Sequence, residues 1–354
     1  MLKNNKKVSV VIPTTGRLSL LQQALQSLVQ QTYVLWEAII VVDSHDEAVF
    51  ERISSVTVGD PRLHVEMRSG AYSGAPNCRN QGAERARGDY LVFLDDDDYL
   101  GSDCLQKRVV LMDGHPELDF AVSPCQLFNE TPGDVPYLLN VRTDQNDLDR
   151  FLSLDVPWQT ASVIWRRNAF DALGGWSDGL PSFQDWDLHL RALASGLRYR
   201  WSGITSDCFW RLPQQSAETV GVKSASARHL KSHFELFLSM AELLVEADLL
   251  NENRRSMIAG LFFWIAEAWL KLGQREEALL VWEGCNRDGW LTQKQYSEGK
   301  RMLCSPVRIL LRRVLRKFFL RGYPADFCAG DYSRTIRRCR ADAGKEYFRG
   351  KVEL

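Results

Sequence analysis

The sequence predicts an α/β fold with a mostly parallel sheet and flanking helices, followed by an all-helical C-terminal region. Short β-rich apolar runs alternate with helix-length amphipathic stretches up to about residue 95. Polar residues follow three of these runs, and the pattern becomes helical throughout after about residue 216. With 354 residues, 45% of them hydrophobic and 25% charged, the chain has a globular composition, which excludes disordered and fibrous classes.

Strands and crossover helices are predicted in alternation at the start of the chain. The predicted strands are residues 8–12, 37–42, 63–67 and 90–94. The predicted helices are residues 18–31, 47–58 and 75–86. Such alternation produces a parallel sheet whose ligands bind beyond the carboxyl ends of the strands. The polar residues after the first, second and fourth strands are therefore candidate site residues.

The next part of the chain has a mixed pattern that we interpret as the acceptor-facing half of the same domain, which then spans residues 1–215. Strands are predicted over 120–128 and 161–165, and helices over 167–173 and 185–195. A helical accessory domain is predicted over 216–300. Its helix, turn and helix around Gly273 resembles one tetratricopeptide unit, but no second copy is present.

Two histidines, His229 and His233, are four residues apart and could ligate a metal. No carboxylate pattern accompanies them, so a solvated helix face is expected.

Residues 301–354 are predicted to form a basic amphipathic tail, and 306–354 carry a net charge of +8. Apolar residues recur at helical spacing over 306–321, which is typical of peripheral contact with an anionic membrane. The alternative is packing against the helical domain; no nucleic acid is expected, since no recognised motif accompanies the charge.

The sequence lacks the usual signals for export. The apolar run 8–12 is too short for a signal peptide, and no stretch is long enough to span a bilayer. The eight cysteines form no CxxC pair, which argues against a zinc site and a disulfide framework. A cytoplasmic location is expected, at the inner face of the membrane if the tail binds lipid.

Four successive carboxylates, Asp95 to Asp98, directly follow the fourth strand. Crowded carboxylates raise one another's pKa values unless a cation neutralises them. Hard divalent cations prefer oxygen ligands and keep positions open for phosphate oxygens. The run therefore predicts a site for Mn²⁺ or Mg²⁺. The alternative is a solvated acidic loop that caps a helix beginning near Ser102.

Four short motifs occur in order along the first hundred residues. They are IPTTGR at 12–17, VVD at 41–43, NCRNQG at 77–82 and GDYLVFLDDDD at 88–98. Their order and spacing resemble the family 2 glycosyltransferases with the GT-A fold, over about residues 7–212. The resemblance implies an inverting enzyme of the hexosyltransferase class. Its donor is a nucleotide diphosphate sugar, and its acceptor is a glycan or lipid-linked molecule, as in cell-surface polysaccharide synthesis.

The resemblance also implies roles for residues of these motifs. Asp95 and Asp97 correspond to the metal-binding DxD element, and Asp96 lies beside the ribose of the donor. The implied nucleotide-binding residues are Pro13, Thr14, Thr15, Arg17 and Asp43 around the base and Arg79 on the nucleotide. Asp43 can accept a hydrogen bond from a ring N–H, and Arg79 can stabilise negative charge. The alternatives are that both arginines are ordinary surface residues and that Asp43 caps the next helix.

A second element, Gly174-Gly175-Trp176 followed by FQDWDLHLR at 183–191, supplies a candidate base. Sugar transfer needs a group that accepts the proton of the acceptor hydroxyl. The segment resembles the Glu-Asp-Trp segment of the family, in which Asp is the catalytic base, so this role is carried over to Asp185. Gln184 replaces the usual Glu. The alternative is that Asp185 caps a helix beside a core Trp186; Asp187 is expected to pair with Arg191.

These assignments imply a single displacement in which Asp185 deprotonates the acceptor and a metal stabilises the departing diphosphate. One alternative is a nucleotidyltransferase, which would normally have a Gly-rich loop after the first strand, whereas this chain has PTTGR at 13–17. Another is a catalytically silent nucleotide-sugar-binding scaffold, suggested by Gln184 and by Ser44-His45 after Asp43.

Overall fold

The computed structural model describes residues 6–70, 73–139, 141–203, 205–212, 226–305, 337–339 and 347–349. Its strands are β1 (Val8–Thr14), β2 (Trp36–Val42), β3 (Leu63–Met67), β4 (Tyr90–Phe93), β5 (Tyr99–Leu100), β6 (Phe120–Val122), β7 (Cys125–Phe128), β8 (Val163–Arg166), β9 (Tyr199–Trp201), β10 (Cys208–Arg211), β11 (Arg337–Cys339) and β12 (Tyr347–Arg349). Its helices are α1 (Leu18–Val29), α2 (Glu47–Ser55), α3 (Ala75–Arg85), α4 (Cys104–Gly114), α5 (Asp147–Leu152), α6 (Arg167–Ala172), α7 (Gln184–Ala194), α8 (Ala227–Glu246), α9 (Glu252–Lys271), α10 (Arg275–Arg287) and α11 (Gln293–Leu303). The predicted amphipathic helix over 306–321 and the domain boundary after 215 lie outside the described residues.

The central sheet confirms the predicted α/β architecture. Its seven strands have the order β3-β2-β1-β4-β8-β6-β9. The four strands predicted before residue 95 are parallel to one another, and β8 is antiparallel to both β4 and β6. Strands β1 and β2 are buried along their whole length because helices cover both faces of the sheet. Runs of mostly apolar residues were therefore the right signal for them.

Helix α3 lies unusually close to β1. A Cβ at Gly82 would come within 2.3 Å of Val11 Cγ1, so only glycine permits this approach. The contact fixes the helix against the centre of the sheet. It also places Arg79, one turn earlier on α3, near the carboxyl ends of the strands, where it contacts Asp95.

The single strand predicted over 120–128 is wrong. Ser123 and Pro124 separate β6 from β7, and Pro124 has no N–H to continue a ladder. The first piece joins the central sheet, and the second joins a small sheet with the order β5-β10-β7. This second sheet matters for the site because β5 directly follows the four aspartates.

The helical C-terminal region packs directly on the α/β domain. Phe237, Trp269 and Trp282 belong to the same buried cluster as Phe93 and Trp186. The helix, turn and helix predicted around Gly273 is confirmed by α9 and α10. Among the described residues, no helix combines the length and apolar character needed to cross a membrane.

The expected solvated face of the two histidines is wrong for His233. Its side chain is fully buried, because α8 turns this face toward α7 and packs against it. The imidazole contacts the Phe183 ring, with 4.7 Å between the ring centroids.

Candidate functional site

The parallel strands bring the residues selected from the sequence to one edge of the sheet. Thr14 ends β1, Asp43 follows β2, and the four aspartates follow β4. Since β2, β1 and β4 are adjacent and parallel, their carboxyl ends meet. Thr14 Oγ1 donates a hydrogen bond to Asp96 Oδ2 and accepts one from the Gly16 amide at 3.1 Å, which ties the first and fourth strand ends together.

Each of the four aspartates has a different environment. Asp95 forms an ion pair with Arg79, and Asp96 forms one with Arg17. Asp97 Oδ2 lies 2.8 Å from Nη1 of the same Arg17. Asp98 is buried; its Oδ1 accepts from the amide of residue 211 at 3.0 Å, and its Oδ2 has no partner among the described residues. Two arginines therefore pair with three of the four carboxylates, and Arg17 is shared between two of them.

Burial raises the pKa values of two of these carboxyl groups, those of Asp96 and Asp98. It raises the pKa of Asp96, although the charge of Arg17 and a hydrogen bond from Thr14 oppose this effect. Burial and the charges of Asp97 and Asp95 raise the pKa of Asp98 well above its usual range. For both buried carboxyls, loss of solvation opposes the charged form.

The oxygen atoms of Asp95 and Asp97 suit a hard divalent cation. Their side chains are 32% and 30% exposed, unlike those of the buried Asp96 and Asp98. The described part of the chain contains no cluster of three or more His, Cys, Asp or Glu residues that could hold a metal. Two carboxylates nevertheless match the way Mg²⁺ or Mn²⁺ is held through one or two protein oxygens, waters and substrate phosphates.

The candidate nucleobase side is built around Asp43. Its Oδ1 accepts from Arg68 Nε at 2.6 Å, and its Oδ2 accepts from the Gly74 amide at 2.8 Å. Asp43 does not cap α2, because Asp46 does so by accepting from the Ala48 amide. The alternative interpretation of Asp43 as a helix cap is therefore wrong.

The segment 13–17 continues this side of the site. Pro13 is buried in β1, whereas Thr15 is exposed. Gly16 has φ 98°, and a Cβ there would lie 2.7 Å from Val49 Cγ1, so the turn requires glycine. The turn presents Arg17, whose side chain is 48% exposed, to the aspartates.

Arg68 is a residue of the site that the sequence reasoning missed. Its side chain is only 8% exposed, and it joins Asp43 to the ring of His45, with 3.0 Å between Nη2 and Nε2. Arg68 directly follows β3. The signal that selected Asp43, a polar residue at a strand end, would have found it.

Helix α7 presents Asp185 in its first turn. Asp185 Oδ1 accepts from the Trp186 amide at 2.9 Å, while Phe183 occupies the N-cap position. Burial raises the pKa of Asp185; the charge of Arg79 lowers it, and that of Asp95 raises it. These charges act on Asp185 because the start of α7 lies beside the end of β4.

The other α7 residues have structural roles. Trp186 is buried and donates its indole N–H to the Phe151 carbonyl at 2.8 Å. The predicted pair of Asp187 and Arg191 is confirmed at 2.7 Å. These contacts hold the helix against the domain and leave Asp185 as the carboxylate of its first turn that has no ion pair among the described residues.

Arg79 connects the two halves of the site. Nη2 bonds to Asp95, and Nη1 donates to Gln184 Oε1 at 3.0 Å. The guanidinium lies over the Trp176 ring, 4.4 Å from its centroid, and the side chain is only 5% exposed. Arg79 is therefore not the ordinary surface arginine of the alternative interpretation. Gln184 takes part in this link as a neutral acceptor.

Comparisons with known proteins agree with this architecture. Residues 9–172 match the family described as Glycosyl transferase family 2. An uncharacterized glycosyltransferase of Haemophilus influenzae is 27% identical over 233 residues, which cover 64% of this chain and 76% of the relative. The putative teichuronic acid biosynthesis glycosyltransferase TuaG of Bacillus subtilis is 33% identical over 105 residues, which cover 30% of this chain and 41% of that protein.

A solved structure extends the likeness of fold to nearly the whole chain. S. aureus TarS 1–349 in complex with UDP-GlcNAc superposes with a TM-score of 0.56 at 14% identity, covering 98% of this chain and all of that one. In the longer TarS structure the match covers 43% of that chain. The segment 9–172 therefore belongs to the family 2 glycosyltransferases in sequence, and the chain around it has a GT-A-like fold.

Proposed function

We propose that the chain is a metal-dependent, inverting hexosyltransferase that moves a sugar from a nucleotide diphosphate sugar to a glycan or lipid-linked acceptor. One observation carries the proposal: Arg79 joins Asp95 at the end of β4 to Gln184, the neighbour of Asp185. One edge of the sheet therefore holds the buried guanidinium of Arg79, the carboxylates of the donor side and a carboxylate that can act as the base. Displacement at an anomeric carbon needs this combination of groups.

In the proposed mechanism Asp185 accepts the proton of the acceptor hydroxyl while the hydroxyl oxygen bonds to the anomeric carbon. The bond from that carbon to the diphosphate oxygen breaks on the opposite side, so the anomeric configuration inverts. The raised pKa of Asp185 makes its carboxylate a stronger base. Arg79 stabilises the negative charge that develops on the donor side.

The donor is held by the groups at the strand ends. Asp43 accepts from a ring N–H of the base, segment 13–17 borders the base, and Asp96 lies beside the ribose. Asp95 and Asp97 would hold Mn²⁺ or Mg²⁺, and the cation would compete with Arg17 for Asp97. The bound cation supplies positive charge to the diphosphate.

Two proteins that this chain resembles support the proposed acceptor and donor classes. TuaG is named for teichuronic acid biosynthesis, which supports a role in cell-surface polysaccharide synthesis. TarS was solved with UDP-GlcNAc, which supports a nucleotide-sugar donor. Membrane contact through 306–321 stays a prediction from the sequence.

A binding screen tests the donor part of the proposal. UDP-, GDP-, dTDP- and CMP-sugars are titrated by calorimetry with and without Mn²⁺, with Asp97→Ala as a control. One nucleotide sugar should bind only with metal, and Asp97→Ala should lose this binding. If no sugar nucleotide binds under any metal condition, the proposed function is wrong.

Replacement of the base tests the chemistry. Asp185→Asn should lower the transfer rate by a factor on the order of 10² to 10⁴, because proton removal is lost, while donor affinity stays within about twofold. Asp187→Asn, two residues along the same helix, is the matched control and should weaken folding but keep transfer. Donor binding with no transfer by the wild-type protein would instead favour the silent scaffold.

A further inference from the structure

The start of α7 depends on an uncommon backbone conformation. Phe183 has φ 60° and ψ 24°, the left-handed region that bulky residues rarely adopt. Its carbonyl accepts from the Asp187 amide at 2.9 Å, so this residue sets the first turn of the helix. Surrounding contacts must hold the residue there, because such a backbone conformation costs free energy and persists only where its neighbours impose it.

Aromatic side chains of the helical C-terminal region surround the Phe183 ring. Its centroid lies 4.7 Å from that of His233, 5.5 Å from that of Phe237 and 6.1 Å from that of Trp264. All three pairs have the edge-to-face arrangement that aromatic rings prefer. On α7 itself, the Trp186 ring lies 5.9 Å away. The residue before the first turn is thus clamped between α7 and helices α8 and α9.

His233 adds a directional contact to this clamp. Its Nε2 shares a hydrogen bond with Ser182 Oγ, and both side chains are buried. Burial and the nearby His229 lower the pKa of His233 to about 4, so the imidazole is neutral near neutral pH. Nδ1 has no partner among the described residues, so the bond to Ser182 orients the ring.

We propose that His233 is a positioning residue for sugar transfer: through Ser182 and Phe183 it fixes the first turn of α7 and so the direction of the Asp185 carboxylate. The inference rests on the proposed role of Asp185. It gives the helical region a part in the active site that the sequence does not reveal. Gln184 holds the same turn from the donor side, through Arg79.

Kinetics with three variants test the proposal. His233→Phe keeps an aromatic ring but removes the hydrogen bond, and His233→Gln returns an amide nitrogen near the position of Nε2. His229→Gln, one turn earlier on α8, is the matched control. We expect His233→Phe to lower kcat about 10- to 100-fold with donor KM within about twofold, because misplacement of a base affects the chemical step. His233→Gln should restore most of kcat, and His229→Gln should match the wild type.

Hydrogen exchange gives a readout that does not need transfer activity. The Asp187 amide should exchange about tenfold faster in His233→Phe than in the wild type, and His233→Gln should reverse this change. A wild-type protein without transfer would refute the proposed function, while the exchange data still decide whether His233 orders the turn. Unchanged exchange in His233→Phe, or equal losses of kcat and thermal stability in both His233 variants, would overturn the positioning role.

Discussion

Replacing Arg17 with alanine should strengthen Mn²⁺ binding to the nucleotide-free protein, although it removes a residue of the proposed site. In the structure, Arg17 Nη1 lies 2.8 Å from Asp97 Oδ2, and Nη2 pairs with Asp96. A cation bound to Asp97 must compete with this guanidinium and is repelled by its charge. Removing the guanidinium removes both effects.

The size of the effect follows from the exposure of the pair. Two unit charges about 4 Å apart attract by about 1 kcal/mol in water and about 4 kcal/mol at an effective permittivity near 20. Arg17 is 48% exposed and Asp97 30% exposed, so the lower limit applies. A gain of about 1 to 1.4 kcal/mol corresponds to Mn²⁺ binding about five to ten times tighter.

The assay is a Mn²⁺ titration followed by electron paramagnetic resonance of the free ion, at fixed ionic strength and without nucleotide. Arg62→Ala is the matched control, because Arg62 pairs with Asp60 at the opposite edge of the sheet. Arg17→Lys should change the affinity less, since the positive charge remains. A dissociation constant for Arg17→Ala that is unchanged or larger would show that Arg17 and the cation do not compete for Asp97.

Three further outcomes are expected. Transfer should slow as pH falls through the raised pKa of Asp185, because the protonated base is inactive; a kcat constant down to about pH 4 would contradict this. Burial alone would raise the pKa of Glu37, but its hydrogen bonds lower it overall, so Glu37→Gln should cost about 1 to 3 kcal/mol at neutral pH and less in acid. Urea unfolding measures this, and an equal cost at both pH values would refute it. Gly299→Ala should lower the free energy of unfolding by about 1 to 3 kcal/mol, because its Cβ would lie 2.3 Å from the Trp282 ring. Gly284→Ala, whose Cβ would have its nearest contact at 3.8 Å, is the control in thermal unfolding. Equal unfolding midpoints for the two variants would contradict the packing argument.

The architecture of the sheet could be predicted because its signals are local. Strand β1 is a mostly apolar run ended by polar residues, which is typical of a strand buried on both faces. Residues at the carboxyl ends of adjacent parallel strands lie close together at one edge of the sheet, whatever their side chains are. The proximity of Thr14 and Asp96, 82 residues apart, therefore followed from topology.

The connections within the site could not be predicted in this way. Gln184 and Arg79 are 105 residues apart, and no local period indicates that they touch. The local sequence predicts a solvated position for His233, yet its side chain is buried because α8 packs against α7 there. Such contacts depend on how elements pack, and hydrophobic periodicity does not specify packing partners.

The charges at the end of β4 predict an order in which the metal and the donor bind. Asp95, Asp96 and Asp97 are each paired with Arg79 or Arg17. These groups then carry a net charge of about −1, which repels a diphosphate, and a bound divalent cation changes it to about +1. The donor should therefore bind with or after the metal. Equal nucleoside diphosphate affinity with and without Mn²⁺ would contradict this charge argument.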